Sequence, residues 1–224
     1  MRTFVLIVPL LILTACTSEA RQFDDPDAGS GSTGGGGAGG GGGGGAGGGG
    51  GGGGDGMCEG ELVRVSNVIA SSLGMGSCCG GSFEALSDGS GLTSLDPMGL
   101  HDCEDTSMWK SKPQTLAGTL NFDLGKVYEI HQVVVWNSAQ LGGERGVRHL
   151  TMTISEDEST FVPLNGSPTT LGIRTTCPSG SAIFDVEPPQ KGRAVQFNIE
   201  DGHTASVSTN LGLGEVWFFG KSCP

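Results

Sequence analysis

The residues able to do chemistry in this chain are few and scattered. Seven cysteines are present: Cys16 near the N-terminus, then Cys58, Cys78, Cys79, Cys103, Cys177 and Cys223. The even set beyond residue 57 forms disulfides if the chain is exported. Cys58 and Cys223 flank the domain and are expected to pair. Cys78 and Cys79 are adjacent, so each is expected to bond elsewhere, to Cys103 and Cys177 in either order. Zinc is the rival use, but no Cys-x-x-Cys pair or Cys/His cluster at ligand spacing occurs. The four histidines, His101, His131, His149 and His203, stand apart. There is no His-Glu-x-x-His, no Gly-x-Ser-x-Gly and no adjacent nucleophile and base. Carboxylates are abundant, yet none is marked out for acid–base work. The expectation is a protein that is not an enzyme.

The elements that must position these residues alternate with period two. Leu120, Phe122 and Leu124 alternate with Asn121 and Asp123. Leu150, Met152 and Ile154 do so with Thr151, Thr153 and Ser155, and Val195, Phe197 and Ile199 with Gln196, Asn198 and Glu200. Each pattern marks a strand with one buried face. Val133 to Trp136 and Val216 to Phe219 are continuous apolar runs, suited to central strands. No stretch has convincing helical period, so an antiparallel sandwich or barrel is expected. Residues 57–224 are of single-domain length and carry nineteen Asp and Glu against ten Lys and Arg. Without a basic stripe, nucleic acid and anionic membranes are not expected partners.

The N-terminus reads as an address. Arg2 precedes the apolar run Phe4 to Leu13, which is short for a membrane span. Leu13-Thr14-Ala15-Cys16 resembles the bacterial lipobox, which implies cleavage after residue 15 and a diacylglycerol on Cys16. Acyl chains of that kind anchor better than a single myristoyl group. Thr17 in place of Asp implies, by the same resemblance, export to the outer membrane. Residues 16–56 form a linker in which Gly34 to Gly54 is broken only by Ala38 and Ala46. Such a segment cannot bury enough apolar surface to fold. It is neither a phosphate loop nor collagen. As a flexible coil it spans roughly 30–40 Å.

Read together, the motifs of residues 57–224 resemble a family. Asp123-Leu124-Gly125-Lys126-Val127-Tyr128-Glu129-Ile130 runs into Val133-Val134-Val135-Trp136-Asn137. Arg145-Gly146-Val147, Gly192-Arg193-Ala194-Val195 and Leu213-Gly214-Glu215-Val216 follow. Asn67 to Ser72, Ala85-Leu86-Ser87-Asp88-Gly89-Ser90 and Ser107-Met108-Trp109 precede them. In that order the set is similar to the discoidin, or coagulation factor V/VIII type C, family. The resemblance implies an all-β, galactose-binding-like jelly-roll sandwich, often closed by a disulfide between its termini. Two departures stand out. An insertion between Ser90 and Ser107 carries His101 and Cys103, and Glu156-Asp157-Glu158 replaces a usual Asp-Gly turn.

The resemblance also implies a structural Ca²⁺, held by Ala85, Asp88, Ser90, Ser107 and Glu215. Hard oxygen donors on a loop suit that ion. The competing readings are a turn cap for Asp88 and a charge pair for Glu215. For a ligand, loops at one end of the sandwich are the place to look. The loop from Trp136 to Arg148 offers Asn137, Glu144, Arg145 and Arg148, planar polar groups that suit sugar hydroxyls. Arg145 has a rival reading as a partner of Glu144 or of loop carbonyls. Trp136, Trp217 and Trp109 are expected in the core, and loop aromatics are scarce. Leu73-Gly74-Met75-Gly76 is a lesser candidate, for lipid. The expectation is a non-catalytic module of the bacterial cell envelope, lipid-anchored to the membrane, with a glycan as its partner. The alternative is a structural or protein-interaction module with no sugar site.

Overall fold

The computed structural model describes residues 58–65, 68–73, 82–204 and 210–224, all within the compact unit Gly54–Pro224. The expectations for the leader, Cys16, the glycine run, Gly74 to Gly76, Cys78 and Cys79 lie outside the described residues. The strands are β1 (Glu59–Val65), β2 (Val68–Ser71), β3 (Trp109–Lys110), β4 (Gly118–Asn137), β5 (Leu150–Ser155), β6 (Val162–Pro163), β7 (Ala182–Ile199) and β8 (Gly212–Ser222). All their pairings are antiparallel.

Two long strands serve both layers of a jelly-roll sandwich. The first part of β4, Gly118 to Asp123, lies between β2 and the Ala194 to Ile199 part of β7. Its second part, Tyr128 to Asn137, lies between β8 and the Ala182 to Gly192 part of β7. The β4–β7 register breaks between Asp123 and Tyr128. There Gly125 sits at φ 80, and Asp123 Oδ1 accepts its N–H at 2.7 Å. That left-handed backbone is open to glycine at little cost, and the irregularity bends the strand from one layer to the other. β5 and β6 extend the first layer, β1 and β3 the second.

The layers meet on the side chains that the alternation singled out. Leu120, Phe122, Leu150, Met152, Ile154, Val195, Phe197 and Ile199 share one buried cluster with Val133, Val135, Val216 and Phe218. Phe122 and Phe197 of the first layer stand 5.2 and 6.2 Å from Phe218 of the second, both edge-on, as aromatic quadrupoles prefer. The continuous runs have a different cause. Val134, Trp136 and Trp217 point outward and form a second buried cluster with Leu92 and Phe219. The insertion supplies part of their cover: it folds as a hairpin closed by the Leu92–His101 bridge, and Gly99 O accepts the Trp136 Nε1–H at 2.7 Å. A strand buried on both faces has no polar side to alternate with.

Cys58 bonds Cys223, with Cα atoms 4.2 Å apart. Cys103 bonds Cys177, with Cα atoms 6.0 Å apart, which corrects the expectation that each would pair with Cys78 or Cys79. The cause is a bridge far apart in sequence. His101 and Ser179 exchange backbone hydrogen bonds of 2.8 Å in both directions, which sets Cys103 beside Cys177.

Candidate functional site

β8 links two ends of the sandwich. Its Ser222 pairs with Glu59, next to the Cys58–Cys223 disulfide where the chain enters. Its other end, Gly212 to Glu215, lies among the loops that carry the candidate residues, roughly 30 Å away along an extended strand.

The first cluster surrounds Glu215. This side chain is fully buried. Its Oε1 accepts the Gly89 N–H at 2.6 Å and its Oε2 the Trp217 Nε1–H at 2.7 Å. Burial pushes its pKa up to about 8; the charge of nearby Asp88 adds to this, while the two N–H donors and Arg64 offset part of it. The facing loop leaves a short 3-10 turn at Glu84–Leu86. Asp88 Oδ1 then accepts the Ser90 N–H at 2.7 Å, and Ser90 Oγ is buried with no partner. Across from it, Ser107 Oγ lies 2.5 Å from Asp102 Oδ1. The loop can approach that pair because position 91 is glycine: a Cβ there would stand 2.6 Å from Asp102 Oδ1 and 2.7 Å from Ser107 Oγ.

These donors suit a hard cation. The buried Glu215 carboxyl, Asp88 beside it and the unpartnered Ser90 hydroxyl are all oxygen ligands, and a buried hydroxyl without a partner is costly. Among the described residues no three His, Cys, Asp or Glu converge as a metal set. A cation here would therefore draw on hydroxyl and carbonyl oxygens as well, Ala85 at the head of the same loop included. His101 belongs to the framework. Its Nδ1 accepts the Cys103 N–H at 3.0 Å, leaving Nε2 to donate to Ser107 O at 2.8 Å. Burial holds its pKa down.

The second cluster is the loop after β4. Asn137 is 3% exposed. Its Nδ2 donates to Val147 O at 2.8 Å and Gly172 O at 3.2 Å, and its Oδ1 accepts the Val147 and Ser138 N–H groups at 2.9 and 3.1 Å. All four positions of the amide are filled. The expectation that Asn137 contacts ligand is thus corrected: it staples the loop. Arg148 makes a two-pronged contact with Asp201 at 2.6 and 3.2 Å, and His149 Nδ1 lies 3.0 Å from the same carboxylate. With Arg148 foremost, these partners hold Asp201 far below the usual carboxylate range. Glu144 is exposed.

Arg145 is placed differently. Its Nη1 donates to Gln140 Oε1 at 2.8 Å, and its Nε is buried without a partner. Asp105 stands 4.0 Å away and is already engaged by Lys110 at 3.0 Å and Gln140 Nε2 at 2.5 Å. Gln140 Nε2 also reaches Cys103 O at 2.9 Å, so the Cys103–Cys177 bridge supports the guanidinium. The pairing of Arg145 with Glu144 is not what forms. Gln140, Asp105 and Lys110 were not singled out in the sequence, since no local spacing joins residues of three separate segments. Trp109, Trp136 and Trp217 are fully buried, as is Leu73.

A model of the F5/8 type C domain matches residues 84–211. No curated protein sequence matches. Among solved structures, a putative chitobiase fragment from Bacteroides thetaiotaomicron is similar at 20% identity and TM-score 0.48, over 73% of this chain and 95% of that one. A family 32 CBM from Clostridium perfringens, solved with galactose, is similar at 10% identity and TM-score 0.44, over 70% and 99%. CBM32-1 from a family 31 glycoside hydrolase of the same organism is similar at 12% identity and TM-score 0.47, over 69% and 93%.

Proposed function

The chain belongs to the F5/8 type C domain family, and from that premise we propose that it is a non-catalytic carbohydrate-binding module held on a leash at the bacterial cell envelope. The observation that carries the reading is the polarity of β8. The leash joins at Cys58, bonded to Cys223, and the loops with Arg145 and Glu215 lie at the other end of that strand. A domain tethered in this way holds its polar loops away from its attachment point. The glycine run gives reach, and a lipid on Cys16 fixes the location, with the outer membrane as the expected surface. Glu144, Arg145 and Arg148 are the proposed sugar-facing side chains.

We propose further that Ca²⁺ joins Asp88 and Glu215, with Ala85, Ser90 and Ser107 completing the oxygen set. The ion would supply positive charge to a buried carboxylate and fix the loop that starts at Glu84. Retention of the full chain on immobilised polysaccharides, with Ca²⁺ and with EDTA, tests the reading. Retention on at least one polysaccharide supports it, and none on any contradicts it. A structural or protein-interaction module remains the second reading. It is favoured by the burial of all three tryptophans, which leaves none of them as a ring platform for a sugar face.

A further inference from the structure

We infer that the saccharide recognised by this module is acidic, carrying carboxylate or sulfate groups, and that Arg145 and Arg174 read the charge. The inference rests on the carbohydrate-binding reading above. Two arginines occupy touching loops. Gly143, two residues before Arg145, packs so closely on the neighbouring loop that a Cβ would stand 2.5 Å from both Arg174 O and Ile173 Cγ1. Each arginine has its Nε buried with no hydrogen-bond partner. Each spends its visible hydrogen bond on a neutral acceptor: Gln140 Oε1 for Arg145 at 2.8 Å and Ser181 O for Arg174 at 2.8 Å. Both acceptors belong to the neighbourhood of the Cys103–Cys177 bridge, because Gln140 also holds Cys103 O and Ser181 follows Cys177 in the chain by four residues.

Arg174 lacks an acid, and Arg145 has only a distant share of one. The carboxylate nearest Arg145 among its ion pairs is Asp105, 4.0 Å away and already bonded to Lys110 and Gln140. Arg174 has no ion pair among the described residues. Arg148 provides the contrast, with its fork closed on Asp201. A partly buried guanidinium with no counter-ion, as in Arg174, or with one held at 4.0 Å and shared, as in Arg145, recovers little of its desolvation cost, and its geometry suits carboxylate and sulfate oxygens. Between the two loops, Leu141 and Ile173 are 58% and 51% exposed. They offer aliphatic surface to a sugar face where aromatic rings are missing. The domain as a whole is acidic, with nineteen Asp and Glu against ten Lys and Arg. It therefore repels polyanions elsewhere, so that retention of one reports a local site.

The test is affinity electrophoresis of the full chain, solubilised in neutral detergent, through gels holding polygalacturonate, dextran sulfate or neutral galactan. The expected result is retardation by polygalacturonate or dextran sulfate, stronger than by galactan and weakened by salt. The first two gels separate carboxylate from sulfate recognition. The double variant Arg145→Gln/Arg174→Gln should lose tenfold or more of that retardation at an unchanged melting temperature. Arg145→Lys/Arg174→Lys keeps the charge without the fork, and should lose less. Retardation by galactan alone, or polyanion retardation untouched by either double variant, overturns the inference while leaving carbohydrate binding intact. Free migration through every gel removes the carbohydrate reading and this inference with it.

Discussion

Glu215→Gln is the most informative single substitution. The Glu215 carboxyl has its pKa raised from an ordinary 4.5 to about 8, foremost by burial. The folded state therefore keeps a proton that the unfolded chain releases across that window. Because the folded state binds more protons there, stability falls as pH rises. Each pH unit costs about 1.4 kcal/mol. The full cost is on the order of 5 kcal/mol above pH 8, and roughly 3 kcal/mol is already lost at pH 7. Gln carries no proton to lose, but its NH₂ cannot accept the N–H donated by Trp217 or Gly89, a loss of about 1 kcal/mol. In EDTA the variant should match or slightly trail the wild type at pH 5, and exceed it by a few kcal/mol at pH 8.5. For a protein this size that is roughly 10 °C in melting temperature. His101 and His203, whose pKa values are lowered mainly by burial, act in the opposite sense. They bind protons more readily once unfolded, and stability from them is lost as pH falls through about 6.5. Denaturant titrations in EDTA from pH 6.5 to 8.5 isolate Glu215. A wild-type stability that is flat or rising across that range, or a variant with the same slope, would mean that folded Glu215 does not hold its proton there.

Three further outcomes are expected. Asn137→Ala removes four hydrogen bonds from a buried loop and strands Val147 and Gly172 partners, so a loss of about 2–4 kcal/mol should appear in chemical denaturation, together with weaker polysaccharide retention. The double change Cys103→Ser/Cys177→Ser opens a bridge between positions 74 residues apart; about 2–4 kcal/mol should be lost, read as a lower melting temperature, and Gln140 loses the support for its grip on Cys103 O. Cys16→Ser should move the chain from the membrane fraction to the soluble fraction of its host and abolish labelling by a fatty-acid analogue, which fractionation and gel fluorography will show.

Much of the sandwich was legible because a strand's side chains alternate whatever it pairs with. Leu120, Phe122, Leu150, Met152, Val195 and Phe197 reveal their inward face by spacing alone. Legibility failed where contacts join distant segments. Cys103 meets Cys177 through the His101–Ser179 bridge, which has no local signature, so adjacency of Cys78 and Cys79 was a poor guide. Asn137 has the chemistry of a sugar contact, and only its burial reveals that its amide is fully used. Gln140 and Arg174 passed unnoticed because their meaning lies in what surrounds them: one links Cys103, Asp105 and Arg145, and the other has a guanidinium without an acid. Glu215 was visible through its motif, although its depth and its raised pKa were not.

Carbohydrate binding at a loop end organised by Ca²⁺ is the proposed function. Its most direct test is isothermal titration of the full chain with the polysaccharide that retards it in gels, run in millimolar CaCl₂ and again in EDTA. Saturable binding is expected in calcium, weakened tenfold or more by chelation and by Glu215→Gln alike. Absence of saturable binding in calcium, or binding that chelation leaves unchanged, would contradict it.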